Sequence, residues 1–181
     1  MNNLAYLLPV TVAAIAWGLW KSRHDYRRHG RCTIWGFISV LFMFFMPHLM
    51  LDRAMVYAVP DSLRDYLGLA ICITSWSLCL IACIDFRSAR KVLCLEAGRL
   101  TVRGLYRWSR NPQYVGWGVG IIGYALTGWT AECLASLLLF AVMVHLFILV
   151  EEEHLGRTFG EDYGTFCRAV PRYIRLGPIR I

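Results

Sequence analysis

Five apolar runs, most of them near the length of a bilayer crossing, alternate with polar stretches that share the chain's cations very unequally. The runs cover residues 4–20, 32–51, 66–84, 114–129 and 133–150. About 20 predominantly apolar residues suffice to cross a membrane as helix, and a 57% hydrophobic chain of 181 residues is richer than a soluble domain of that size. Of the 19 Lys and Arg, residues 21–31 hold five, 85–113 hold seven and 151–181 hold five, whereas 52–65 hold two and 127–132 none. If all five runs span, 17 of the 19 fall on one side. Cationic loops stay cytoplasmic, so the pattern predicts an outside N-terminus, five transmembrane helices and a cytoplasmic C-terminus. The fold class expected is all-α and integral to the membrane, as one domain over 1–181: three spans and a loop in 1–97, then 98–181.

The net charge of +7 does not point to nucleic acid, because its cations sit between apolar runs as juxtamembrane loops do. Seven cysteines show no Cys-Xaa-Xaa-Cys pair and no alternation with histidine. They read as free thiols, with no disulfide or metal site. The N-terminus lacks a basic leader and reads as a first span.

The stretch Arg110-Asn111-Pro112-Gln113-Tyr114-Val115-Gly116 marks the change from a basic segment to the fourth apolar run. Pro112 biases Asn111 away from helical geometry and suits a first helical position, so a helix is expected to start here. That run carries Gly116-Xaa-Xaa-Xaa-Gly120, a spacing that lets helices approach closely. Spans four and five are joined by a few residues, and their hairpin would set Asn111 beside Glu151. Two polar clusters, 100–117 and 150–172, would then meet at one face. They supply carboxylates, guanidiniums, phenols and an amide, a mixture suited to the zwitterion, sulfonium and adenine of S-adenosylmethionine.

The order of motifs is more specific. Gly-Xaa-Tyr at 104–106, then Arg110-Asn111-Pro112-Gln113-Tyr114 with Gly116, then Glu151-Glu152, Phe159-Gly160 with Tyr163, and Val170-Pro171-Arg172 together resemble the isoprenylcysteine carboxyl methyltransferase family. More broadly they resemble the integral-membrane methyltransferases, phospholipid N-methyltransferases included. The resemblance covers roughly Gly98 to Arg172. It implies a cytoplasmic S-adenosylmethionine pocket formed by the C-terminal half and a membrane lipid or lipidated acceptor. By position it implies cofactor contacts at Gly98, Arg99, Leu100, Thr101, Tyr106, Asn111, Pro112, Gln113, Tyr114 and Glu151. Glu151, Glu152, Asn111 and Tyr114 are the candidates for chemistry, with His154 a further possible proton acceptor. Two positions depart from the isoprenylcysteine pattern: Asn111 replaces its usual His, and its substrate-binding Arg falls at Phe147. Both concern the acceptor rather than the methyl donor.

Duller roles are open beside these. Trp108 and Trp117 suit an interfacial aromatic belt, and Arg103 and Arg107 suit lipid phosphates. Glu151–Glu153 could be a solvated charge run, although carboxylates at a helix C-terminus oppose its dipole. His145 lies inside the last run, where an ionisable side chain is either functional or hydrogen-bonded across the bundle. Glycines 116–123 read as packing. Two other functions fit a polytopic chain: a sterol-type reductase using NADPH, and a non-enzymatic lipid-binding membrane protein.

Overall fold

The computed structural model describes residues 4–49, 60–85, 100, 102–127 and 131–174. Gly98, Arg99 and Thr101 lie outside these residues, as does Cys94. The described residues form six α-helices and one 3₁₀ turn, with no strand among them. These are α1 (Leu4–His29), α2 (Ile34–Leu49), α3 (Leu63–Asp85), the 3₁₀ turn (Gly104–Arg107), α4 (Pro112–Leu126), α5 (Ala131–Phe159) and α6 (Glu161–Ala169). Most of the described residues of each apolar run are therefore helical.

Two helices continue well past their runs. α1 continues nine residues past its run, to His29. Lys and Arg are good helix formers, and Arg27, Arg28 and His29 complement the dipole in the last turn. α5 likewise continues through Glu151–Glu153 to Phe159. The three carboxylates thus sit inside the helix and not at its C-terminus, so the dipole objection does not apply to them. At 29 residues α5 is about 44 Å long, longer than the ~30 Å hydrocarbon core.

α3 and the segment Cys133–Phe159 are long and apolar enough to cross a membrane, and Ile34–Met46 is a shorter apolar stretch. α4, at 15 residues, is about 22 Å long. It owes its place to α3. The two run antiparallel with a glycine seam between them. A Cβ on Gly116 would lie 2.9 Å from Cys79 Sγ, and one on Gly123 2.7 Å from Ile71 Cγ2. The Cys79 and Cys72 thiols donate to the Gln113 and Gly120 carbonyls at 3.2 and 3.3 Å. The small-residue stripe therefore serves packing within the chain, and its partner is α3 rather than α5. A Cβ on Gly68 would meet the Gly123 carbonyl oxygen at 2.7 Å. Gly68→Ala is expected to cost about 2 kcal/mol by forcing the backbones apart. Gly118→Ala, whose Cβ would sit 3.9 Å from Phe140, should be neutral or gain up to about 1 kcal/mol in helix propensity. Unfolding in detergent compares the pair; equal stabilities would mean the seam is loose.

α3 starts with a capping box. The Ser62 hydroxyl donates to Asp65 at 2.6 Å, and the Asp65 N–H donates back to Ser62 Oγ at 3.2 Å. The main core joins α1, α2, α4 and α5 through Ile15, Met43, Phe44, Ile121, Phe140, Phe147 and their neighbours. The described cysteines are free thiols, as expected.

The turn between α1 and α2 hangs on Asp25, whose side chain is fully buried. Lys21 pairs with it, and the Thr33 N–H donates to it at 3.0 Å. Thr33 in turn caps α2, accepting the Gly36 N–H at 3.1 Å. Burial opposes the charge on Asp25, but the hydrogen bonds from Lys21 and Thr33 outweigh it and hold the carboxyl below its ordinary 3.8. A carboxyl with a depressed folded pKa stabilises the fold above its unfolded value, and that contribution is lost as pH falls through the folded one. Stability is therefore expected to decline from about pH 4 downward. Asp25→Asn should flatten that decline in pH-dependent thermal unfolding; an unchanged acid limb would clear Asp25 of the role.

Candidate functional site

The chain turns at Asn111, whose backbone (φ −133°, ψ 55°) is non-helical, and α4 begins at Pro112 as the sequence dictates. The Asn111 side chain does not cap its own helix. Its amide donates instead to the Arg172 carbonyl at 3.0 Å, and the Arg110 N–H donates to the Pro171 carbonyl at 2.9 Å. The corner thus holds the segment after α6 against the start of α4. On its other flank it is held by α3. Asp85 accepts the Leu105 N–H at 3.1 Å, and the Arg103 guanidinium donates to the Asp85 carbonyl at 2.6 Å. Gly104, at φ +55°, packs so close to the Asp85 carboxylate that no side chain fits. That is the physical content of the glycine in Gly-Xaa-Tyr, and it sets Tyr106 into a buried position at 5% exposure.

The second half of the site is the three consecutive carboxylates of α5. Successive helical residues point about 100° apart, so each addresses a different segment. Glu151 accepts the Tyr114 hydroxyl at 3.0 Å. Glu152 meets Arg110 at 2.9 Å and Arg172 at 2.6 Å. Glu153 meets Arg23 at 2.9 Å, Arg27 at 2.7 Å and Arg157 at 2.9 Å. Cations from each of the three basic stretches, Arg23 and Arg27, Arg110, and Arg157 and Arg172, are therefore gathered around one turn of α5.

The Arg110–Glu152 pair is poorly solvated. The side chains of Arg110 and Glu152 are 12% and 15% exposed. Arg110 also reaches the Tyr163 hydroxyl at 3.5 Å and touches Cys167. Burial, with Glu152 and Cys167 beside it, pushes the Tyr163 phenol well above its ordinary 10, against the pull of Arg110. Tyr163 stays neutral and serves as a polar wall. The hydrogen bonds to Glu152 raise Arg172 above its usual value. Among the described residues, buried Arg110 Nε has no hydrogen-bond partner.

Of the residues singled out from sequence, Asn111, Pro112, Tyr114, Glu151 and Glu152 come together at this junction. Gln113 is half-buried and gives its carbonyl to Cys79. Leu100 packs against the Tyr163, Phe166 and Val170 cluster beneath α6. Phe147 is 1% exposed and stacks edge-on against Tyr114 and Phe44, so it fixes the Tyr114 ring. His145 bonds Tyr173 through Nδ1 at 2.7 Å. Arg172 joins this junction unforeseen by the sequence, where its one signal is the Val-Pro-Arg run. The linkage of Glu153 to α1 had no local signal at all.

The fold and this junction define an all-α, membrane-associated protein with a charged, motif-bearing end. The phospholipid methyltransferase family model matches residues 63–162, more than half of the chain, and the chain belongs to that family. Comparison with curated proteins returns no match, and neither does comparison with solved structures. Membership makes the chain a membrane methyltransferase of a family that works on lipid-like substrates, for which S-adenosylmethionine is the general methyl donor. The matched segment runs from the start of α3 to the first turn of α6, so α1, α2 and Arg172 lie outside it.

Proposed function

We propose that this protein transfers a methyl group from S-adenosylmethionine to a lipid acceptor at the end of the bundle where the segment Arg110–Tyr114 meets Glu151 and Glu152. The observation that carries this reading is the Tyr114–Glu151 hydrogen bond of 3.0 Å beside the Arg110–Glu152 pair, which joins two motifs far apart in sequence. The donor set fits the cofactor: Glu151 suits a cationic sulfonium or ammonium, Arg110 suits a carboxylate, and Tyr106 and Tyr114 offer aromatic surface. Gly98, Arg99, Leu100, Thr101, Asn111, Pro112 and Gln113 complete the proposed contacts. When bound, the cofactor supplies a methyl group on a sulfonium, and this chain's residues align it and exclude water.

Among acceptors, a phospholipid amine is favoured over an isoprenylcysteine carboxylate. The family match supports it, and Phe147, standing where the isoprenylcysteine enzymes place a substrate-binding arginine, is committed to an apolar core. An amine must lose a proton. Both Glu152 oxygens engage guanidiniums. Glu151, which accepts the Tyr114 hydroxyl, is the proposed proton acceptor. The gathering of residues 21–31, 103–112 and 151–174 at one end supports five spans with that end in the cytoplasm.

Calorimetry on purified protein is expected to detect binding of S-adenosylmethionine and of its demethylated product. Methyl-labelled cofactor should then place label in the phospholipid fraction of a membrane extract. No heat of binding for either nucleoside would end the proposal. Label in an isoprenylcysteine analogue alone would replace the acceptor.

A further inference from the structure

We propose that Arg23, Arg27 and Arg157, gathered around Glu153, form a seat for the phosphate of an anionic membrane phospholipid, separate from the methyl-transfer site. The three guanidiniums share one carboxylate, so the cluster keeps two positive charges in excess. Arg23 donates to Glu153 through Nε at 2.9 Å, and Arg27 through Nε at 3.0 Å and Nη2 at 2.7 Å. Their side chains stay 53% and 47% exposed, and that of Arg157 is 58% exposed. A guanidinium carries more N–H donors than Glu153 engages here, and its fork matches phosphate oxygens. The arginines line a shallow surface depression together with Val150 and the stacked rings of Tyr26 and His154, 4.3 Å apart.

A lipid is chosen over a free anion because apolar surface adjoins the cations along both helices. On α1, Trp17 and Trp20 precede Arg23 and Arg27 along the same stripe and are 56% and 55% exposed. Exposed tryptophans are typical of the headgroup level. On α5, Leu146 and Leu149 share a face with Glu153 and are 41% and 40% exposed. Acyl chains would lie along those residues while the phosphate sits among the arginines. Juxtamembrane cations attract anionic lipids for the same reason.

Native mass spectrometry of the full chain in a neutral detergent tests this, with phosphatidylglycerol, phosphatidylcholine and inorganic phosphate as separate probes. Phosphatidylglycerol should be retained over phosphatidylcholine, and equimolar phosphate should not displace it. Arg157→Gln leaves both α1 bridges to Glu153 in place and should weaken phosphatidylglycerol several-fold. Arg23→Gln with Arg27→Gln should weaken it on the order of tenfold. Glu153→Gln should strengthen it, because the guanidiniums lose their internal counter-charge. Unchanged or weaker binding in Glu153→Gln would overturn the proposal and leave the arginines as struts. So would equal retention by parent and double variant, or displacement by phosphate, which would mark a plain anion site.

Discussion

Glu152→Ala is expected to destabilise the protein by about 3 kcal/mol and to release the segment after α6. The side chain is only 15% exposed and holds Arg110, itself 12% exposed, together with Arg172. Removing one member of a buried ion pair typically costs about 3–5 kcal/mol, because the partner charge stays desolvated. Arg172 is 32% exposed, so water screens part of its share and the lower end of that range applies. The release is predicted because α6 leads into residues whose bonds to the Asn111 corner depend on Arg172 staying in place. Tryptic cleavage at Arg172 should accelerate in the variant. A double-mutant cycle with Arg110→Ala should return a coupling of about 2 kcal/mol. Additive effects in that cycle, or trypsin resistance equal to the parent's, would mean that the corner holds without the ion pair.

The sequence carried the helices and the corner well, and the reasons are local. An apolar run of membrane length has few alternatives to a helix, and Asn-Pro before such a run sets a helix start by sterics alone. The meeting of Tyr114 with Glu151 was also accessible, because a short connection between two helices fixes them as neighbours. What escaped had no local trace. The glycine stripe at 116–123 advertises close packing but cannot say against which helix, and it turned to α3, whose own Gly68 completes the seam. Asp25 sits among five cations in a polar stretch that hides its place as the buried hinge of the α1–α2 turn. Glu151–Glu153 follow the last apolar run directly, which hides the helix continuing through them. They can lie within a longer helix because each finds partners on other segments, and those partners are up to 130 residues away. Long-range ion pairs leave no periodicity to detect.

The largest functional effect is expected at the first of those carboxylates. Glu151→Gln keeps the size of the side chain and an oxygen that can accept the Tyr114 hydroxyl, so the packing of Tyr114 against Phe44 and Phe147 should survive. What it removes is the charge. Hydrogen bonds and contacts to charged groups are worth roughly 1.5–3 kcal/mol, so binding of S-adenosylmethionine should weaken by about two orders of magnitude. Tyr114→Phe leaves the carboxylate in place without its donor and should weaken binding about tenfold, by loss of one hydrogen bond. The demethylated product offers an internal control. It keeps the ammonium and carboxylate but lacks the sulfonium charge. If Glu151 faces the sulfonium, the Gln variant should lose far more affinity for the methyl donor than for the product. If it faces the ammonium, both should weaken equally. Calorimetric titration of both nucleosides against parent and variant separates these cases. Parent-like affinity for both would strip Glu151 of any role toward the ligand and leave it as the fastening for Tyr114.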